Sequence, residues 1–535
     1  MGSLLKQFMA GVGGGNPWPS YWATRTPTDL LLAVISDTSI KLDWTANGVE
    51  DYDGYSVERS ADGVTYAEID TVLVGTETFT DTGLTELTLY YYRVRAYKGA
   101  EYSGYCSVKS DITFLAAIIG EDTAAFYDTL TPASFTKNAS EQVAAWADFF
   151  GAGESLCQAG EDNKKPVLES DGLLFDGVRQ FLKTAAIAAL DQPTFIYLVI
   201  KQVTWTANDY FLDGHTDNVG IISQMAETPK IRSYAGITSG NILMTGGVKY
   251  VAGSVGLNKY SIIRCRFNGA GSLLQVDEET ANTVDTGTNV MGGFTLGANG
   301  SGTARWSNIK VKGVLLRTVD DAALHDNIYK WLRVRYLRDV AIIGDSTVAA
   351  YSAPTYVSVA YLMDWDKGLL DIALAGDTIA QQKAAWSAKN PLTRSYTRCV
   401  FVQVGLNDLN PAVATATTIA AVQDLVDTIR TDIGAVNKII ICTMTPCKAW
   451  LLREYNPNGE AAYAKWLAIN EAIRGQGSTP ITSADDYIDA HTTEFNDGEG
   501  NMSATYDIGD NLHENNDGRQ YIADLWDAKL LELGI

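Results

Sequence analysis

Four short stretches hold the residue types that can carry out a reaction: Gly344-Asp345-Ser346-Thr347, Ala375-Gly376-Asp377, Gly405-Leu406-Asn407-Asp408 and Asp510-Asn511-Leu512-His513. A serine hydroxyl is a weak nucleophile at neutral pH and needs a base within hydrogen-bond reach. An imidazole, with an ordinary pKa of about 6.5, suits that task, so His513 is the expected base for Ser346. Asp510, just before His513 on the same loop, is the expected group that fixes the imidazole tautomer and stabilises its charged form. Attack on a carbonyl places negative charge on its oxygen. The backbone N–H groups of Ser346 and Gly376 and the side-chain amide of Asn407 are the expected donors to that oxyanion. This is the chemistry of acyl transfer, with Ser346, Asp510 and His513 as catalytic residues and with no metal or cofactor required.

Such residues need a scaffold that gathers them. From residue 339 onward, buried runs of strand length (340–343, 369–375, 399–404, 438–443 and 487–490) alternate with helical stretches. That alternation predicts a parallel sheet covered by helices on both faces. The first three stretches fall at the carboxyl ends of the first three strands, where sheets of this kind place their chemistry. The fourth precedes a final helix over 518–533. Asp345 and Asp408 read as strand-end residues that hydrogen-bond local backbone. Of the other histidines, His215 and His325 have no matching partners in sequence, and His491, which follows a strand, is the rival to His513.

In this order and placement the four stretches match the blocks of the SGNH, or GDSL, hydrolases, and residues 339–535 resemble that family. The resemblance implies a three-layer α/β domain, hydrolysis of an ester, and the roles just given to Ser346, Gly376, Asn407, Asp510 and His513. Members act on acetylated sugars, lipids, thioesters and other esters, so the fold alone does not choose the substrate.

Upstream the periodicity is that of β-structure. In 27–115, alternating segments at 40–44, 54–59 and 90–97 are separated by polar turns and predict an antiparallel sandwich. With Trp44 in an early strand, Tyr55-Ser56-Val57-Glu58-Arg59, and Leu84 ahead of Tyr90-Tyr91-Tyr92-Arg93-Val94-Arg95-Ala96, this segment resembles a fibronectin type III domain, with Tyr90 as its tyrosine corner. Residues 116–336 are again β-rich, with landmarks at 146–148, 174–177, 195–200, 260–267 and 294–297. They resemble a concanavalin A-like, laminin G-like jelly roll. Leu324, Ile328, Trp331 and Leu332 recur at helical spacing and predict a closing helix that packs this domain against the next. Jelly rolls of this kind often bind glycans, and Tyr210 beside Asp209 and Asp213 is one candidate ring for a sugar to stack on. Asp277-Glu278-Glu279 reads as a solvated turn, without the alternating acids of a glucanase strand. The leader, 1–26, rich in glycine and aromatics, reads as a flexible segment able to dock its rings on a partner or as a disordered tail.

The fold class expected is therefore multidomain: a fibronectin type III sandwich (27–115), a jelly roll (116–336) and an α/β hydrolase domain (337–535). At 535 residues the chain is long enough for these separate cores. Its formal charge of −23 repels a phosphate backbone and argues against nucleic acid as partner. Apolar runs are strand-sized, which argues against membrane insertion. Lys6 stands where a myristoylation signal has Ser or Thr, and the start lacks a signal-peptide core. The six cysteines are scattered and read as mostly buried thiols. The loop 496–501 reads as a surface turn in preference to a calcium loop.

A lectin-like domain and a fibronectin module joined to an esterase point to a polymeric glycan as partner, because tethering raises the local concentration of ester. O-deacetylation of a surface or capsular polysaccharide is the leading expectation; a purely adhesive protein and a lipid esterase are the alternatives. The layout resembles bacteriophage tail or head-fibre proteins. That resemblance implies a virion or extracellular location, with the leader docking on other virion proteins; a bacterial cell surface is the other location considered.

Overall fold

A computed structural model describes Trp22 and residues 24–48, 51–118, 123–151, 153–158, 160–225, 230–236, 241–244, 259–277, 281–283, 285–319, 324–337, 340–349, 358–363, 369–389, 394, 397–435, 437–490, 492–533 and 535. Most of the leader, together with Glu278, Glu279 and His491, lies outside these residues. The described chain forms two compact units, 1–116 and 117–535.

In the first unit the alternation of side chains builds two antiparallel sheets. Along Ser39–Thr45, Ile40, Leu42 and Trp44 are buried between more exposed neighbours, the period-two pattern of a half-buried strand. This strand pairs with Thr28–Val34 and Thr78–Thr82. The facing sheet is built on Gly54–Ser60 and Leu89–Lys98. Trp44 meets Tyr55 edge to face, 5.3 Å between centroids. The Tyr90 hydroxyl accepts from the Thr85 N–H at 3.1 Å, which is the bond expected of a tyrosine corner.

The second unit opens with two larger antiparallel sheets, of nine and eight strands. They share one core, to which Trp146, Leu212 and Phe294 come from one sheet and Ile196, Leu198 and Val314 from the other. The central strand Thr194–Gln202 is buried along its whole length. Its inner residues enter that core. On its outer face the Tyr197 hydroxyl meets His325 Nδ1 at 3.1 Å, at the start of helix α1 (His325–Tyr336). Ile328, Trp331 and Leu332 of α1 are buried as their spacing predicts. Its end is pinned by Asp128, which takes Tyr336 Oη at 2.7 Å and Arg335 at 2.6 Å.

The α/β part follows, with strands β1 (Val340–Gly344), β2 (Leu369–Asp371), β3 (Cys399–Gln403), β4 (Lys438–Cys442) and β5 (Asp486–Ile488). All pairs are parallel, in the order β2-β1-β3-β4-β5. Alternate residues of each strand serve opposite faces. Ala341, Ile343, Val400 and Val402 join one core, with helices α2 (Ile379–Ala388), α3 (Thr415–Ile433) and α4 (Gly459–Ile473). Val340, Ile342, Cys399 and Phe401 join the other, where Trp526 of α5 (Asn516–Glu532) stacks on Phe401 at 4.8 Å. A sheet buried on both faces explains the unbroken apolar runs. The direction of crossover reverses between β1 and β3, which opens a crevice at their carboxyl ends.

Five of the six cysteines are buried, as expected; Cys157 is exposed. Strand β2 is shorter than the predicted 369–375. The Asp371 carboxylate accepts from the Ala373 N–H and the Ser358 hydroxyl, local bonds that compete with the ladder. The chain still follows β1 beyond this point, since Ile372 and Leu374 donate to the Ile342 and Gly344 carbonyls.

Candidate active site

Ser346 follows β1 in a single turn closed by the Val348 and Ala349 N–H groups on the Asp345 carbonyl, at 3.2 and 2.8 Å. The Asp345 carboxylate accepts from the Thr347 N–H and hydroxyl and faces the Leu406 N–H. It therefore has the structural place expected of it, and it also joins the serine turn to the loop after β3. Burial pushes this carboxyl up to about 6 against those bonds.

The loop after β3 carries Asn407, whose amide donates to the Asp377 carbonyl at 2.9 Å. Asp408 was expected to bond locally; its carboxylate instead accepts from the Ile379 N–H, 29 residues away, at the start of α2. Gln382 of α2 completes the brace, accepting from the Gly344 N–H at 3.2 Å and donating to the Asp377 carboxylate at 2.9 Å. Gly376 lies between these anchors with φ of +87°, and a Cβ there would meet nothing within 4 Å. Glycine serves the left-handed backbone at this turn. Among the described residues, the N–H groups of Ser346 and Gly376 donate to no protein acceptor.

His513 arrives from a loop ahead of α5. Asp510 Oδ1 accepts from the Leu512 and His513 N–H groups, both at 2.9 Å, and Asp510 Oδ2 lies 2.6 Å from His513 Nδ1. Partial burial pushes the Asp510 carboxyl up, but the bonds from the His513 ring and from the His513 and Leu512 backbone outweigh it and hold the group below its usual range. On the far side of the ring, His513 Nε2 lies 3.0 Å from Ser346 Oγ. Ser346, His513 and Asp510 thus form one hydrogen-bonded chain across 167 residues of sequence. His215 and His325 lie in the two-sheet part of the unit, away from this loop cluster.

Residues 342–521 match the GDSL-like lipase/acylhydrolase family. The α/β part is a GDSL/SGNH hydrolase domain. Residues 25–109 match the fibronectin type III domain. Exoglucanase B of Cellulomonas fimi is 34% identical over 125 residues, which is 23% of this chain and 11% of that protein. The chain thus spans about a ninth of that relative's length. Solved structures with local likeness include an Fn3-like protein from Clostridium thermocellum (27% identity, 16% of this chain and 91% of that one, TM-score 0.15). A fibronectin type III domain of human collagen XX is similar as well (22% identity, 17% and 91%, TM-score 0.15).

The hydrolase domain holds supports that its motifs do not advertise. Arg453 donates to the Asp510 carbonyl at 3.0 Å. Lys465 of α4 is buried and donates to the Asn410 and Val413 carbonyls at 3.1 and 3.2 Å, fixing the loop that carries Asn407. In the loop 496–501 the Asp497 carboxylate is spent on the Glu499 and Asn501 N–H groups, and no cluster of metal-ligating side chains occurs among the described residues.

The candidate sugar ring in the two-sheet part is buried. Tyr210 is only 9% exposed, and the buried Asp213 carboxylate accepts from the Gly214, Asn218 and Gly300 N–H groups. Neither faces solvent in a way that would let a sugar stack on it. Asp277 is also tied down, accepting from the Ile262 N–H at 3.0 Å and facing Arg333 at 3.5 Å. It sits in the turn expected there and also ties strand to helix, while Glu278 and Glu279 lie outside the described residues.

Proposed function

We propose that the hydrolase domain is a serine esterase that removes O-acetyl groups from a polysaccharide held by the β-domains of the same chain. The observation that carries the reading is the Ser346–His513–Asp510 chain, with links of 3.0 and 2.6 Å. Both lie within the heavy-atom reach of a working nucleophile–base pair.

In this reading Ser346 Oγ attacks the acyl carbon while its proton passes to His513 Nε2, and Asp510 stabilises the imidazolium that forms. The tetrahedral oxyanion is met by the Ser346 and Gly376 N–H groups and by the second amide hydrogen of Asn407, the first being engaged with Asp377. Collapse breaks the ester C–O bond and His513 returns its proton to the departing sugar hydroxyl. Water, deprotonated by the same imidazole, then attacks the acyl-serine and releases acetate. Loss of one oxyanion donor costs roughly 100- to 1,000-fold in turnover. Asn407→Ala is expected to fall in that range with its affinity for a neutral ester little changed, as initial-rate kinetics will read.

The polysaccharide is supported by the company the domain keeps. A tethered binding module raises the effective concentration of a polymer at the active site, and one relative over part of the chain is named as an exoglucanase. We assign 27–115 to a fibronectin module, 116–336 to a lectin-like jelly roll and 337–535 to the esterase, carried on an extracellular or virion protein in the manner of a phage fibre. No described helix is long and apolar enough to cross a membrane.

The test is hydrolysis of p-nitrophenyl acetate, longer acyl esters and an O-acetylated polysaccharide by the full chain, with Ser346→Ala as control. Acetyl-selective turnover and acetate release are expected from the wild type. A long-chain preference would replace the proposal with a lipid esterase, turnover that survives in Ser346→Ala would remove Ser346 as the nucleophile, and turnover absent in both would leave an adhesive protein.

A further inference from the structure

Arg519, in the first turn of α5, is fully buried. Burying a guanidinium is costly unless its donors are met. Here they are met by backbone. Nη2 donates to the Ser346 carbonyl at 2.8 Å, Nη1 to the Ala349 carbonyl at 2.5 Å, and Nε to the Glu514 carbonyl at 3.2 Å. The first two carbonyls belong to the single turn that displays the nucleophile; the third belongs to the residue after His513.

The guanidinium is a rigid planar fork with five donors at fixed angles. Three carbonyls bound to one such plane cannot move independently. The Glu514 carboxylate lies 3.9 Å from Nη2, and neither of its oxygens is met by an aligned donor among the described residues, although the Thr445 hydroxyl faces it. Burial pushes this carboxyl up to about 8. The guanidinium thus faces three backbone carbonyl dipoles as well as the Glu514 carboxyl.

We infer that Arg519 is a positioning residue for the proposed esterase: it locks the Ser346 turn to the His513 loop and so sets the separation between nucleophile and base. The inference rests on the esterase reading. Hydrogen-bond reach between nucleophile and base is narrow, and a displacement of about 1 Å costs on the order of 100-fold in rate. A positioning loss appears in kcat, since the clamp does not face the substrate, whereas loss of global stability lowers the thermal midpoint and leaves kcat per folded molecule intact.

Arg519→Lys and Arg519→Met are to be compared with wild type and Ser346→Ala, in the full chain. The readouts are the thermal midpoint, kcat and KM for p-nitrophenyl acetate below that midpoint, and the rate at which a p-nitrophenyl phosphonate labels Ser346, followed by intact mass. Arg519→Lys keeps the charge and one arm of the clamp and so guards against failure of the methionine variant to fold. It is expected to lose about 10- to 100-fold in kcat and in labelling rate with KM within a few-fold. A folded Arg519→Lys protein with wild-type kcat and labelling rate would overturn the positioning role and leave the esterase standing. Wild type without Ser346-dependent turnover or labelling would overturn both.

Discussion

Ser346→Ala, His513→Ala and the double variant are expected to lower kcat by roughly the same factor, about 10⁴ to 10⁶, with the double variant no worse than either single one. The reason is in the geometry. The hydroxyl gains nucleophilicity only by passing its proton to the ring nitrogen 3.0 Å away, so either substitution removes the whole transfer. The oxyanion donors survive in all three proteins and account for the residual rate. Asp510→Asn keeps the loop bonds to Leu512 and His513 in place but loses the carboxylate 2.6 Å from Nδ1, and is expected to retain somewhat more activity. Steady-state rates on a chromogenic acetyl ester decide the matter. Additive losses would mean that serine and histidine act in separate steps, which this arrangement does not allow.

The second large effect concerns pH and stability. The Glu514 carboxyl is fully buried and burial raises it from an ordinary 4.5 to about 8, against the opposing pull of Arg519. A carboxyl raised on folding binds its proton more tightly in the native state, so the native state is favoured at low pH and penalised as pH climbs from near 4.5 through 8. The gap corresponds to roughly 4–5 kcal/mol once the group is ionised. Glu514→Gln cannot ionise. Its stability relative to wild type is expected to be appreciably greater at pH 9 than at pH 6.5, by several degrees or more in the unfolding midpoint of the hydrolase domain. Asp345, raised to about 6 by the same cause, titrates mostly below this window and does not obscure it. A difference between variant and wild type that stays constant across the two pH values would show that Glu514 keeps one protonation state throughout.

Much of the hydrolase domain can be read from sequence because its determinants are local. A strand buried on both faces leaves an apolar run, and β1, β3 and β4 fall within a residue of their predicted ends. Asp510 and His513 are near neighbours on one loop. The bracing was invisible for the opposite reason. Arg519 reads as an ordinary charge in a helix with polar neighbours, and its partners Ala349 and Ser346 lie 170 and 173 residues away. The same applies to Asp408 and to Lys465, whose partners are backbone groups that carry no sequence signature. Burial misled the reading of Tyr210, since Tyr210–Gly214 is covered on both faces despite its polar residues. An aromatic beside two acids suggests a rim, but here the Asp213 carboxylate accepts from backbone N–H groups.

The span between serine and histidine has a consequence in time. Contacts of such separation form late, because loop closure must be completed before they are rewarded. The proposed base, orienting acid and clamp all reside in one short stretch, Asp510 to Arg519, while the proposed nucleophile is laid down far earlier. A nascent chain can finish both β-sandwiches and most of the parallel sheet while its serine is still chemically silent. In the proposed mechanism the triad is therefore completed only when α5 docks, since Asp510, His513 and Arg519 all arrive with it.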